Sequence, residues 1–206
     1  MRKKNDQPSA VLLARRQTFV DVALELFLEK GFGATSVNEV VRRAGGSLAT
    51  LYKFFPSKED LFAAIIAEYL KALFEPLQAL GDERRPDIVL KTIGDNYLEV
   101  TSTPRALAVF RVMVLESCRL PHLRELFLTQ GFSKLKAWFE QFLQQAHDSG
   151  ALRVDDIPMA CSQFFGLLRA PWHMPAACGE CVDLSPERKK AIVDSACRAF
   201  LRAYAA

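Results

Sequence analysis

One histidine and two cysteines have the spacing that metal sites and redox pairs use. His173 is followed by Cys178 and Cys181 in the segment HMPAACGEC. A structural zinc site needs four ligands, and the sequence has no second cysteine pair and no His-x3-His motif after this one. A second subunit could supply the missing ligands, or the cysteines could act as a redox switch. Two incidental loop cysteines are the simpler interpretation, so we predict no metal and no cofactor.

A carboxylate, a thiol and an imidazole also lie close together upstream, as Glu116, Cys118 and His122. Such groups can serve in acid–base or nucleophilic catalysis. No nucleophile elbow, paired-carboxylate motif or phosphate-binding loop accompanies them. We therefore predict that the protein is not an enzyme.

The most informative pattern lies in AGGSLATLYKFFPSKEDLF, residues 44–62. Leu48 and Tyr52, and likewise Ala49 and Lys53, are four residues apart and share the outward side of a short helix. The small residues at its start would let the helix approach base edges closely. The phenol and the ammonium that follow suit phosphate oxygens, and Lys58 could reach the same backbone. This face is typical of a DNA-binding helix.

The elements around this face predict a helix-turn-helix. A helix over residues 37–44 is followed by a break at Gly45 and Gly46 and then by the short helix. Leu51 and Phe55, four residues apart, can anchor that helix to the two helices before it. By spacing alone, an ordinary three-helix corner is the alternative.

The rest of the chain also has helical periodicity, so we predict an all-α fold. In the first helix, over residues 11–30, the apolar positions Phe19, Ala23, Leu26 and Phe27 share one face. Ser57 and Asp60 form a capping box for a fourth helix. A further helix is predicted from Pro86 to about Thr103, and another from Arg105 to about Arg119. A long helix follows, from beyond Pro121 to the SGALR segment. Asp156 and Pro158 begin the next helix, and Ser185 and Pro186 begin the last one, which runs to the C-terminus.

Composition and charge fit a globular protein with a basic N-terminal head. Half of the 206 residues are hydrophobic, but no run approaches the roughly 18 apolar residues of a membrane span. The polar N-terminal segment and the odd number of cysteines, five, favour a cytoplasmic protein without a disulfide framework. Residues 1–58 carry ten basic and five acidic side chains, whereas residues 59–206 carry 17 and 19. A basic head on an acidic body suits a module that meets phosphate at one end.

The segment TSVNEVVRRAGGSLATLYKFFPSKEDLF resembles the DNA-binding segment of TetR-family transcriptional regulators almost position for position. The resemblance covers about residues 11–65, and its glycine, tyrosine, phenylalanine and lysine all fall in register. Gly46 departs from the pattern, because the family usually has a β-branched residue there, and we therefore expect a looser turn. The run from RALAVFRVMVLESCRLPHL through GALRVDDIPMACSQFFGLL is similar to the AefR-type C-terminal domain of that family.

This resemblance implies a homodimeric, ligand-responsive regulator, most simply a repressor that binds a palindromic double-stranded operator and is released by a small molecule. It implies a flexible basic arm at residues 1–10, a three-helix DNA-binding head at 11–56 and a ligand-binding and dimerisation body at 57–206. The base-facing positions are Asn38, Leu48, Ala49 and Lys53, and the phosphate-contacting positions are Thr35, Ser36, Thr50, Tyr52 and Lys58. Arg42 and Arg43 could add phosphate contacts, although a solvated helix face is the simpler interpretation.

An apolar or amphipathic effector would need a cavity in the body. The candidate lining residues are Tyr97, Met113, Glu116, Trp138, Phe142, Phe165 and Trp172. Glu116 lies on an otherwise apolar helix stripe, so it would either pair with an arginine or contact the ligand. Aromatic residues at helical spacing are more often plain core, which is the alternative for the rest. A redox or metal effector acting through Cys178 and Cys181 is the other alternative.

The last two helices predict a two-fold dimer interface. The candidate contacts are Phe164, Leu168, Ile192, Ala196, Ala199 and Ala203. Along the final helix these positions form one narrow face of mainly small side chains, which would let a partner helix approach closely in a four-helix bundle. Packing of the same face within one subunit is the alternative.

Overall fold

The computed structural model describes residues 10–78, 80–81, 83–118, 121, 124–125 and 133–206. Its helices are α1 (Ala10–Lys30), α2 (Val37–Ala44), α3 (Leu48–Phe54), α4 (Lys58–Gln78), α5 (Pro86–Thr101), α6 (Pro104–Ser117), α7 (Ser133–Asp148), α8 (Ile157–Arg169), α9 (His173–Ala177) and α10 (Pro186–Ala203). No strand occurs among the described residues, and the all-α prediction is confirmed. None of the helices in this part of the chain is long and apolar enough to cross a membrane.

The capping residues found in the sequence explain where several helices begin. Ser57 Oγ accepts from the Asp60 backbone amide at 3.0 Å, as the predicted capping box requires, and donates its own proton to the Asp60 carboxylate at 2.6 Å. Asp156 and Ser185 cap α8 and α10 by accepting from backbone amides in the first turn, and a proline lies just inside each helix. The bounds of α2 are those that the sequence predicts.

The head, made of α1, α2 and α3, is built on aromatic side chains of α1. The Phe27 ring lies 5.0 Å from that of Phe32 and 5.8 Å from that of Phe62 in α4. The four apolar positions predicted to face the core from α1, Phe19, Ala23, Leu26 and Phe27, are all fully buried. Val109 and Val112 of α6 belong to the same apolar cluster. The head therefore shares its core with α4 and α6, and the boundary between residues 56 and 57 stays a prediction.

A second apolar cluster forms the centre of the body, from α4 to α10. Its largest fully buried side chains are Phe139, Phe164, Phe165, Trp172 and Phe200. Helices α5 and α10 pack closely because Gly94 has no side chain: a Cβ built there would lie 2.8 Å from Val193 Cγ1. This contact holds the last helix against the body of its own subunit.

The structure differs from the prediction in the segment between α8 and α10, which was expected to be a loop. The short helix α9 forms there, held by Arg111 of α6, which donates to the carbonyls of Ala176 and Ala177 at 2.7 Å each. A five-residue helix held by a distant arginine leaves no periodic signal in the sequence. The predicted helix end at Arg119, His122 and the basic arm up to residue 9 lie outside the described residues.

Candidate nucleic-acid interface and ligand-binding region

Helix α3 is anchored on one side and open on the other. Leu51 and Phe55 are buried in the head, at 0% and 2% exposure, as the sequence predicts. Ser47 caps the helix by accepting from the Thr50 amide at 3.2 Å, and its hydroxyl lies 2.9 Å from the Thr50 hydroxyl. Thr50 is half-buried, and both its amide and its hydroxyl contact the capping serine.

The opposite side of α3 is accessible. Leu48 is 37% exposed and Tyr52 48% exposed, and Ala49 and Lys53 are also exposed. The Lys53 side chain makes no ion pair or hydrogen bond with any other described residue, so its ammonium group is available. At the start of α2, the predicted contacts Ser36 and Asn38 are exposed as well. The structure thus presents six of the nine predicted DNA contacts to solvent, but their contacts with DNA stay a prediction.

The turn between α2 and α3 is packed more closely than its glycines suggest. Gly45 and Gly46 have φ angles of +75° and +97°, which side-chain-bearing residues rarely adopt. Arg15 of α1 donates to the carbonyl of Ala44 at 3.1 Å, and a Cβ at Gly46 would lie only 2.4 Å from Arg15 Nη2. The guanidinium group of Arg15 thus occupies the space that a side chain at residue 46 would take. The turn is therefore packed against α1 and is not the looser turn expected from the glycine.

Two predicted phosphate contacts have internal partners. Thr35 is 2% exposed, and its hydroxyl lies within hydrogen-bond distance of the carbonyls of Leu26 and Gly31, at 3.2 and 2.9 Å. Its side chain therefore has no surface to offer a phosphate, because it closes the end of α1. Lys58 is half-buried, and its ammonium group donates to carbonyls of the turn between α1 and α2.

The two arginines of α2 differ in their surroundings. Arg43 donates to Glu29 of α1 at 2.7 Å, and this hydrogen bond lowers the pKa of the Glu29 carboxyl. Arg42 has an 80% exposed side chain and only a 3.5 Å contact with Glu39, which also pairs with Lys30. Arg42 therefore has the freer charge for a phosphate contact, whereas Arg43 ties α2 to α1.

Glu116 connects the body to the head. This carboxylate is 6% exposed and accepts a hydrogen bond from the Phe32 backbone amide at 3.2 Å. Among the described residues Glu116 makes no ion pair with an arginine, and Arg119 lies outside them, so the expectation of an arginine partner or a ligand contact stays a prediction. Because Phe32 follows α1, the end of α6 is bound directly to the turn between α1 and α2. Of the other two members of the upstream trio, Cys118 is exposed and His122 lies outside the described residues.

A second connection between head and body consists of ion pairs that the sequence does not indicate. Arg16 of α1 pairs with Glu68 of α4 at 2.9 Å, and Arg105 of α6 pairs with Asp21 of α1 at 2.6 Å. Arg105 also lies 3.7 Å from Glu68. We call these four residues the α1 clamp. In the sequence these four residues look like ordinary surface charges. Only the tertiary structure shows that they form ion pairs with one another.

The seven predicted ligand-pocket residues do not form one group. Met113 belongs to the head cluster, and Glu116 faces the turn after α1. The other five belong to the body core or pack against it: Tyr97, Trp138, Phe142, Phe165 and Trp172. The Tyr97 and Phe165 rings are 5.3 Å apart, and burial raises the pKa of Tyr97 to about 12. Trp172 Nε1 donates to the carbonyl of Leu168 at 2.8 Å. These contacts are those of a packed core.

The predicted dimer contacts are divided between core and surface. Phe164, Leu168, Ile192 and Ala196 are at most 5% exposed within the single subunit. They face α5 and the body core because α8 and α10 pack against these elements. Ala199 and Ala203 are exposed. Of the predicted contacts, only these two are therefore exposed in the single subunit, and the dimer interface stays a prediction.

His173, Cys178 and Cys181 are not gathered into a site. His173 makes an edge contact with the Phe110 ring at 4.5 Å, and both cysteines are exposed. Burial, aided by the positive charge of Arg169, lowers the pKa of His173. Within the described residues, no three His, Cys, Asp or Glu side chains come together to hold a metal ion.

Comparison with known proteins agrees with both parts of this architecture. Residues 19–65 match the family model for bacterial regulatory proteins of the tetR family, and residues 88–206 match that for the C-terminal domain of AefR-like transcriptional repressors. The HTH-type transcriptional regulator RutR of Escherichia coli (strain K12) is 29% identical over 119 residues, which cover 57% of this chain and 56% of RutR. The matched region thus spans little more than half of that relative.

Solved structures share the fold over nearly the whole chain. A TetR-family regulator from Mesorhizobium loti superimposes with a TM-score of 0.77 at 23% identity, covering 95% of this chain and 98% of the other. The flavonoid-responsive regulator FrrA superimposes with a TM-score of 0.71 at 31% identity, covering 93% of this chain and 97% of the other.

Proposed function

Because the chain belongs to the TetR family of bacterial regulatory proteins and carries an AefR-like C-terminal domain, we propose that it is a ligand-responsive transcriptional repressor. It binds a palindromic operator as a homodimer and is released by a small molecule. The observation that carries this proposal is the open face of α3 on an anchored helix-turn-helix. Such a regulator works on DNA in the cytoplasm and performs no catalysis.

The open face of α3 favours a particular kind of readout. Leu48 and Ala49 have no hydrogen-bonding side-chain group, so they would meet bases through apolar contact, as with a thymine methyl. Tyr52 and Lys53 would bind phosphate oxygens or, for Lys53, a guanine edge. Part of the specificity would then come from the shape and deformability of the operator.

Dimer formation would use the outer face of α8 and α10. Ala191, Ser195, Ala199 and Ala203 follow one another at intervals of four residues and are all exposed. Beside them Leu167 of α8 is 38% exposed, although it is a large apolar side chain. Two copies related by a two-fold axis would cover this face in a four-helix bundle and would present two copies of α3 to a palindromic site.

A small-molecule effector is supported by the likeness to FrrA, whose name describes a flavonoid-responsive regulator. The effector of this chain would be an apolar or amphipathic compound. A thiol effector is the second candidate, because Cys178 and Cys181 are both exposed in the segment that follows the Arg111 contacts. If Cys178→Ser and Cys181→Ser left DNA binding equally sensitive to a thiol oxidant, this second candidate would be excluded.

The DNA-binding proposal is tested by selecting bound duplexes from random DNA with purified protein and measuring affinity by electrophoretic shift. Tyr52→Phe removes one hydroxyl and should weaken binding about 2- to 10-fold for every sequence, since a hydrogen bond contributes about 0.5–1.5 kcal/mol. Ala49→Trp should abolish binding by obstructing groove entry. Ala137→Trp, at an exposed alanine of α7, is the matched control and should bind normally. Wild-type affinity in Ala49→Trp would show that α3 is not the reading helix.

A further inference from the structure

A cavity of about 320 Å³ lies between α4, α5 and α6, beside the α1 clamp. Its apolar wall consists of Ile65, Ala72, Val100, Ala106 and Val109. Ala72 is exposed while Ala106 is buried, so the cavity runs from the surface towards the core. Its volume is at the lower end of the range for small-molecule sites, roughly 300–1,000 Å³. None of the seven pocket residues predicted from the sequence lines it within the described part of the chain.

Most polar side chains at this cavity are already engaged. Thr103 caps α6 by accepting from the Ala106 amide at 3.1 Å, and its hydroxyl also lies 3.2 Å from the Val100 carbonyl. Glu99 pairs with Lys189 at 3.1 Å. Glu68 and Arg105, which also line the cavity, belong to the α1 clamp. None of these groups needs a ligand to be satisfied.

Tyr69 is the exception. Tyr69 lines the cavity and also packs against the body core. Its hydroxyl has no hydrogen-bond partner among the described residues. Burial raises the pKa of Tyr69, and the nearby Tyr97 raises it further. The phenol therefore keeps its proton and can donate to an oxygen of a bound molecule.

We propose that this cavity is the effector site, and that it takes a neutral, largely apolar molecule of aromatic size with one hydrogen-bonding oxygen directed at Tyr69. Neutrality follows because both charged lining groups of the α1 clamp are already paired. A charged ligand would have to compete with those ion pairs. This proposal rests on the proposed function and assigns its ligand class and its location.

The cavity is connected to the reading head through its own wall. Glu68 and Arg105 line the cavity and also hold Arg16 and Asp21 of α1. Since α1 carries the core of the head, an occupant that separates α4 from α6 pulls the two halves of the α1 clamp apart and reorients the head. A ligand changes DNA affinity only as far as it binds one of the two head orientations more tightly than the other. The ion pairs of the α1 clamp therefore determine how strongly a molecule in the cavity changes the position of α3.

Binding is tested by calorimetry with 2-naphthol, a neutral aromatic probe with one hydroxyl, and the full-length protein. The wild type should bind the probe, and Ala72→Trp should weaken binding at least tenfold by filling the cavity from its open end. Ala67→Trp, at an exposed alanine on the same helix, is the matched control and should bind like the wild type. Tyr69→Phe should lose about 2- to 10-fold in affinity, the range expected for one hydrogen bond. No binding by the wild type, or equal binding by Ala72→Trp, would overturn the site.

Coupling is tested with Asp21→Asn, which weakens the α1 clamp from a residue outside the cavity. This variant should bind 2-naphthol with unchanged affinity, but the probe should lower its affinity for the selected DNA by a smaller factor than in the wild type. An equal factor in both proteins, or binding of the probe without any effect on wild-type DNA affinity, would overturn the coupling. Calorimetry requires no DNA, so a protein that binds the probe but never DNA would contradict the proposed function and leave the cavity assignment intact.

Discussion

Lys58→Met tests whether this lysine stabilises the fold of the head, as its contacts indicate, or binds a DNA phosphate, as its position in the sequence predicts. Its ammonium group donates to the carbonyls of Phe32 and Thr35 at 2.7 and 3.0 Å and lies 4.3 Å from the centre of the Phe32 ring. Methionine keeps the apolar stem and removes these contacts.

The expected loss can be worked from these contacts. Hydrogen bonds to a charged group contribute about 1.5–3 kcal/mol each, and a cation–π contact at a partly exposed site about 0.5–1 kcal/mol. Lys58 is half-buried, so water replaces part of what is lost, and we expect a net destabilisation of about 2–3 kcal/mol. For a chain of this size, about 1 kcal/mol shifts the melting temperature by about 2–4 °C. Lys58→Met should therefore melt about 4–12 °C below the wild type.

The assay is thermal unfolding followed by circular dichroism, combined with DNA affinity at several salt concentrations. Lys53→Met is the matched control, because Lys53 is exposed on the open face of α3. It should melt within about 2 °C of the wild type and reduce the salt dependence of DNA binding by about one counterion if it contacts a phosphate. If Lys58→Met melted like the wild type and showed the reduced salt dependence instead, the internal role of Lys58 would be refuted.

Three further outcomes follow from the geometry. Gly46→Ala should lower the free energy of unfolding by about 1–2 kcal/mol in urea titration, because residue 46 has a positive φ and its Cβ would meet Arg15; an unchanged midpoint would contradict this. Ala199→Arg, on the exposed side of α10, should halve the solution mass measured by light scattering and weaken operator binding, and a variant that stays dimeric would move the interface elsewhere. Burial lowers the pKa of His173 in the folded state, so the unfolded chain takes up the proton first and stability should fall as the pH drops below about 6.5; His173→Asn should lose less stability than the wild type between pH 7.5 and 5.5, and equal losses would exclude this histidine.

Local features of the head were predictable because their causes lie within a few residues. Ser36 and Gly45 bound α2 through capping and a positive φ, and the period of 3.6 residues separates the buried Leu51 from the exposed Tyr52. These features depend on neighbours along the chain, so they can be read from the sequence before any tertiary contact is known.

Features that join distant segments were not predictable in the same way. Ile192 and Ala196 lie on the apolar face that the sequence shows, yet only the packing of α10 against α5 decides that this face is used within the subunit. Lys58 has the position of a phosphate ligand, but the turn between α1 and α2 supplies its carbonyl partners from 23 and 26 residues away.

The links between head and body show the same division most clearly. The sequence shows that Glu116 is unusual, because it is a carboxylate on an apolar helix stripe. It does not show that the carboxylate accepts a hydrogen bond from a backbone amide 84 residues earlier. Arg105 and Asp21 are likewise 84 residues apart, and nothing in the composition of either neighbourhood indicates their pairing. Periodicity and capping depend on residues close together in the chain, so the sequence determines the helices and the open face of α3. Which charge meets which partner depends on how the helices pack, and only the tertiary structure decides it.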